Sequence, residues 1–111
     1  MEVNPKELRI YEAADGSIPF ADWLDGLRDG KGRAVIRVRI DRMAAGNFGD
    51  HASVGGGIFE LRIHFGPGYR IYFAEDGPRL VLLLLGGDKK SQSLDIARAK
   101  SYWKTYKQEG P

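Results

Sequence analysis

The chain contains no cysteine. Disulfides, thiolate nucleophiles and cysteine-based metal sites are therefore excluded, and a reducing cytosol suits the composition. Histidine is scarce: His51 and His64 are the two present, and neither stands at a ligand spacing such as HExxH. Long apolar runs are missing as well. The longest, Leu80 to Leu85, is far short of a bilayer span. The opening stretch MEVNPKELRIYEAADG has no apolar core of signal-peptide length. The expectation is a cytoplasmic protein without membrane contact. The triple glycine at 55–57 is not followed by the Lys-Ser/Thr of a phosphate-binding P-loop. Internal repeats, linkers and low-complexity tracts are also lacking, so residues 1–111 are expected to form a single domain.

What is present is an ordinary globular composition, 42% hydrophobic and 29% charged. The net charge of +2 is unevenly spread. Residues 1–30 carry an acidic excess, net −4, and residues 44–78 a smaller one, net −2. Residues 31–43 and 79–111 each carry net +4. Basic patches of this kind suit a polyanion such as RNA, and they also suit plain solvated helix faces.

The hydrophobic pattern gives the elements. ELRIYE (7–12) alternates as a strand, with Leu8 and Ile10 inward. SIPFADWLDGLRDG follows, with Ser17 as a candidate cap, Pro19 in the first turn and Phe20, Trp23, Leu24 and Leu27 on one helical stripe. RAVIRVRIDRMAAG (33–46) alternates in part, yet Ile36, Ile40 and Met43 share a helical face and Gly46 suits a C-terminal cap. It is read as a helix paired with the one before. NFGDHASVGGG (47–57) reads as a loop. Two alternating strands then flank Gly66-Pro67-Gly68, with Phe59, Leu61, Ile63 and Phe65 on the first and Tyr69, Ile71 and Phe73 on the second. RLVLLLL (79–85) is apolar on both faces, as a central strand should be, and stops at Gly86-Gly87. SLDIARAKSYWKTYK closes the chain as an amphipathic helix with Ser93 as its candidate cap. The order predicts an α+β fold: four mainly antiparallel strands, an N-terminal helical hairpin against them and a C-terminal helix.

Alternation also places Glu60, Arg62, His64, Arg70 and Tyr72 opposite the hydrophobic side chains. GGDKKSQS (86–93) brings Lys89 and Lys90 to the end of the same sheet. Clustered cations favour an anion between them, and guanidinium forks match phosphate oxygens. The competing reading is a polar solvent face, with His64 a surface residue and Tyr72 a cross-strand packing residue.

The stretches FADWLDGLRD, FELRIHFGPGYRIYF and LLLLGGDKKSQSLDIARAK resemble the RelE/ParE superfamily of toxins from type II toxin–antitoxin modules, and within it the HigB-like branch. The resemblance runs from about residue 7 to residue 107. It implies a RelE-like fold and a ribosome-dependent endoribonuclease that cuts mRNA without metal or other cofactor. It makes Arg70, in GYR, the phosphate-stabilising arginine. Lys90 with Lys89 takes the place of the basic residue after the last strand, and Arg62 that of the neighbouring strand's basic residues. Tyr72, Arg62, Lys89 and Lys90 would line the RNA, and a crowded lysine or His64 would serve as the base. SQSLDIA lacks the tyrosine that RelE-like enzymes carry near the start of the last helix, which leaves the base open. Two alternatives stay open with it, a ParE-like poison of DNA gyrase and a catalytically silent member that still binds an antitoxin. The implied partners are a helix-turn-helix antitoxin and ribosome-bound mRNA, with DNA reached only through the antitoxin complex.

Overall fold

The structure is a computed structural model that describes residues 4–109. The elements run β1 (Glu7–Ile10), α1 (Pro19–Asp25), α2 (Gly30–Ala44), β2 (His51–Gly55), β3 (Ile58–Ile63), β4 (Tyr69–Asp76), β5 (Leu80–Asp88) and α3 (Gln92–Glu109). The strands form one sheet in the order β1-β5-β4-β3-β2. The α+β class and the three helices match the reading of the sequence. The sheet differs from it in having five strands and being mixed.

The added strand is β2, inside the stretch read as a loop. HASVG is short and glycine-flanked, and only Ala52 and Val54 are partly buried, so its periodicity is faint. It pairs antiparallel with β3. The mixed character comes from β1, which lies parallel to β5 with Glu7 opposite Leu80 and Ile10 opposite Leu83. That pairing spans most of the chain, so no local pattern reports it. As an edge strand β1 does not bury both of its apolar residues: Leu8 packs on the core, while Ile10 is 46% exposed.

Each face of the sheet carries its own apolar layer. On one side Phe20 and Leu24 of α1 and Ile36 and Met43 of α2 pack on Leu61, Ile71, Phe73 and Leu83. On the other, Ala99 and Trp103 of α3 pack on Tyr72, Ala74, Leu82 and Leu84. The face expected to be polar and solvent-facing is thus covered by α3. Period-two alternation identifies opposite faces and carries no information about whether a further layer lies on the second one.

Local signals set the helix ends. Ile18 caps α1, and its N–H donates to Asp22 Oδ2 at 3.2 Å, while Ser17 turns back onto Asp15. Asp29 caps α2 by accepting from the Gly32 N–H at 2.9 Å, and its Oδ2 accepts from the Tyr69 hydroxyl at 2.8 Å. The Gly32 N–H foremost, and the Tyr69 hydroxyl after it, hold the Asp29 carboxyl below its ordinary pKa. Burial, and next the bond to Asp29, push Tyr69 up to about 12, so it remains a donor. Helix α2 ends at Ala44 with Ala45 as its cap, and Gly46 follows with a φ of +92°, the left-handed conformation that favours glycine. Helix α3 begins at Gln92, one residue before the Ser93 candidate cap.

Candidate functional site

Strand register assembles the first cluster. Glu60 lies opposite Tyr72, and Arg62 opposite Arg70. Like charges placed opposite one another destabilise a sheet, so the arginine pair needs a counter-charge. Glu60 supplies it. Its carboxylate is fully buried, and a buried charge needs partners. Arg62 Nε donates to Oε1 at 3.0 Å. Oε2 accepts from the Tyr72 hydroxyl at 3.1 Å and from Gln92 Nε2, at the start of α3, at 2.8 Å. Arg70 Nε stands 3.4 Å from the same oxygen as an ion pair, and its Nη1 donates to the Gly68 carbonyl at 2.8 Å.

The energetics follow from this shell. Burial alone would raise the Glu60 pKa, but the donors and the Arg70 charge outweigh it and hold the carboxyl below its ordinary range. Burial first, and Glu60 after it, push the Tyr72 phenol far up. Tyr72 therefore keeps its proton at neutral pH and serves as a donor. Both carboxylate oxygens of Glu60 are engaged, which makes it an anchor rather than a free base.

The candidate residues are not equally grouped. Arg62, Arg70 and Tyr72 meet on Glu60. Their exposure differs: the Arg62 side chain is 40% exposed, that of Arg70 14%, and Tyr72 is fully buried. Lys89 joins them through Gly68. A Cβ on that glycine would lie 3.3 Å from Arg70 Nη1 and 3.5 Å from Lys89 Cβ, so the lysine stem and the guanidinium flank the same residue. Lys90 is exposed next to it and makes no hydrogen bond or ion pair with a described side chain. His64 stands apart, past the end of β3. Its side chain is 78% exposed, with Nε2 2.5 Å from Asp50 Oδ2. Among the described residues no group of three acidic or histidine side chains has metal-binding geometry.

A second feature lies on the far side of β5, and reasoning from the sequence missed it. Strand β1 pairs with β5 only as far as Leu83, so Leu85 to Asp88 border an open cleft of about 510 Å³ between α1 and α3. Gly86 and Gly87 admit close neighbours. An added Cβ would meet the Trp23 ring at 2.0 Å from the first and Asp95 Oδ2 at 1.9 Å from the second. Asp95, only 5% exposed, accepts from Ser91 Oγ at 2.5 Å. Burial foremost raises its pKa, with Asp88 adding to the effect, while the Ser91 bond and Arg98 offset it in part. The available signal was the glycine pair at the end of β5 together with the i,i+4 spacing of Ser91 and Asp95.

The comparisons with known proteins agree with one another in extent. A family model described as "Phage derived protein Gp49-like (DUF891)" matches residues 22–109. An uncharacterized protein of Haemophilus influenzae is 49% identical over 84 residues, which cover 76% of this chain and 85% of that protein. The match takes in the end of α1, all of α2, strands β2 to β5 and α3, and the chain belongs to the Gp49-like family of phage-derived proteins.

Proposed function

We propose that this protein is the toxin of a toxin–antitoxin module and that it cleaves ribosome-bound mRNA at the Arg62–Arg70 cluster. The Gp49-like family is a toxin-like addiction-module family, which supports the first half. The observation that carries the second half is Arg70, held by Glu60 and the Gly68 carbonyl next to the stem of Lys89. A fixed guanidinium stabilises developing negative charge without reorganising at the moment of reaction. Glu60 offsets one of the two arginines, so a positive excess remains and grows with Lys89 and Lys90.

The reaction that fits is internal transesterification. The ribose 2′ oxygen forms a bond to the adjacent phosphorus as the bond from phosphorus to the 5′ oxygen breaks. The proton leaves the 2′ hydroxyl and a proton reaches the departing 5′ oxygen. The products are a 2′,3′-cyclic phosphate and a 5′ hydroxyl. Arg62 and Arg70 steady the phosphoryl oxygens, and Lys89 or Lys90 moves the proton, since His64 stands apart from the cluster. Tyr72 holds the anchor in place and donates no base function. The harm such an activity does to its host calls for an antitoxin, whose acidic segment would suit the exposed lysines.

One observation favours a second reading, that of a gyrase poison or a silent antitoxin-binding member. Arg70 is mostly covered and both arginines are occupied by Glu60. Induction of the protein in a host cell, with mRNA 5′ ends and DNA breaks mapped together, separates the readings. New 5′-hydroxyl ends inside translated messages are expected. DNA breaks without such ends would assign the protein to gyrase poisoning, and neither signal would leave antitoxin binding alone.

A further inference from the structure

We infer that the cleft beside Gly86 and Gly87 is a nucleobase pocket, and that it takes guanine from the RNA strand whose phosphate sits at Arg70. The inference rests on the phosphate reading above and extends it to the base.

Position comes first. Gly87 lies opposite Arg70 in the β4–β5 register, so the cleft and the arginine are separated by one strand without a side chain at that point. A nucleotide whose phosphate meets Arg70 from the open end of the sheet has its base within reach of this strip. The walls come next. Trp23 lies against Gly86 on one side of the cleft. Tyr102 of α3 lines the other and is itself backed by Tyr11, with ring centroids 5.1 Å apart. Single-stranded RNA is read by stacking on such rings and by hydrogen bonds to the unpaired base edge.

The polar lining selects among ligands. Asp88, Ser91, Asp95 and Arg98 line the cleft. The two carboxylates outnumber the one guanidinium, so a phosphate is disfavoured there, whereas a neutral base is not. Arg98 offsets part of that negative charge, and the peptide arm of the test below separates a base from a cationic side chain of a protein partner. Asp95 is nearly buried, takes one bond from Ser91, and takes none from any other described side chain. A carboxylate needs donors, and guanine offers two on one edge, N1–H and the N2 amino group. Adenine and cytosine present a single amino group each, and uracil a single N3–H.

The test uses short 2′-O-methyl oligonucleotides, which cannot undergo the cleavage reaction: one all-adenosine, one with a single guanosine, one with inosine in its place. Binding to the purified protein is read by tryptophan quenching and by anisotropy. The guanosine oligomer should bind about tenfold more tightly than the all-adenosine one, in line with a good bidentate base contact. Inosine should lose most of the gain, because it lacks the N2 amino group. Asp95→Asn should remove the preference and leave adenosine binding intact, and Trp23→Leu should weaken all three alike. A circular-dichroism melt of each variant confirms the fold. Should Asp95→Asn not fold, the inosine comparison on the parent protein decides by itself.

Equal affinity for the three oligomers overturns the inference. If that equal binding still depends on Arg70, the phosphate reading stands without it. Quenching of Trp23 by an arginine-rich peptide but by no oligonucleotide also overturns it, in favour of a protein ligand. Absence of any oligonucleotide binding overturns it too, while cleavage in the cell judges the phosphate reading separately.

Discussion

Two carboxylates lie buried under α3, and they behave in opposite ways. Glu60 sits in the sheet and is met by Arg62, Arg70, Tyr72 and Gln92. Asp95 sits on the helix and is met by Ser91. The first is held below its ordinary pKa and the second is pushed above it. Burial is similar, so the donors and the neighbouring charges, Arg70 beside the first and Asp88 beside the second, decide the sign. A saturated carboxylate organises its neighbours. One with capacity to spare is available to a ligand.

The comparison breaks most visibly at Glu60. Glu60→Ala leaves Arg70 buried beside an empty site, which should cost about 3 kcal/mol or more in urea unfolding. A loss below about 1 kcal/mol would mean that the donors are not held by the carboxylate. The pH dependence sharpens the same point. Glu60 has a depressed folded pKa, so its contribution is complete above the ordinary glutamate value of about 4.3 and is lost as pH falls through the folded value. Glu60→Gln should therefore flatten the acid limb of the stability profile.

Next in size is the strip between the two groups. Gly86→Ala drives a Cβ into the Trp23 ring and should cost about 1–3 kcal/mol, with a matching shift in the urea midpoint. Asp95→Asn should have a smaller effect of opposite sign. The raised folded pKa means that the charged form costs stability at neutral pH, and the cost fades as pH falls through that value. The variant should be slightly more stable than the parent at pH 7, and the gap should close on acidification. Smallest of all is the exposed pair of His64 and Asp50. His64→Ala should leave the urea midpoint within measurement error, because exposed pairs contribute little.

The same contrast explains what could be read in the sequence. The β3–β4 hairpin was legible because Leu61, Ile63, Ile71 and Phe73 alternate strictly around a Gly-Pro-Gly turn. It placed Arg62, Arg70 and Tyr72 on one face, as the structure does. The layer over that face left no mark in the alternation of β3 and β4, and the double-sided apolarity of Leu80 to Leu85 was the sign of it in the sequence. Glu60 therefore read as a solvated charge rather than the anchor of the cluster. Nothing in the pattern of α3 itself marks Asp95 as buried, because its burial depends on Gly87 lying beneath it. Strand β2 was hidden by its glycines, and the parallel pairing of β1 by the length of chain between partners.

The central claim is that Arg70 meets the scissile phosphate, and Arg70→Ala tests it most directly. Glu60 keeps Arg62, Tyr72 and Gln92 in that variant, so the fold should survive, as a cooperative unfolding transition would show. The measurement is growth after induction, scored together with the yield of new mRNA 5′ ends. Removal of one charge-stabilising donor should lower cleavage by about 10²–10³ and abolish toxicity. Arg70→Lys should recover part of it, since an ammonium lacks the planar fork. Folded Arg70→Ala protein that remains as toxic as the parent, with the same 5′ ends, would contradict the account.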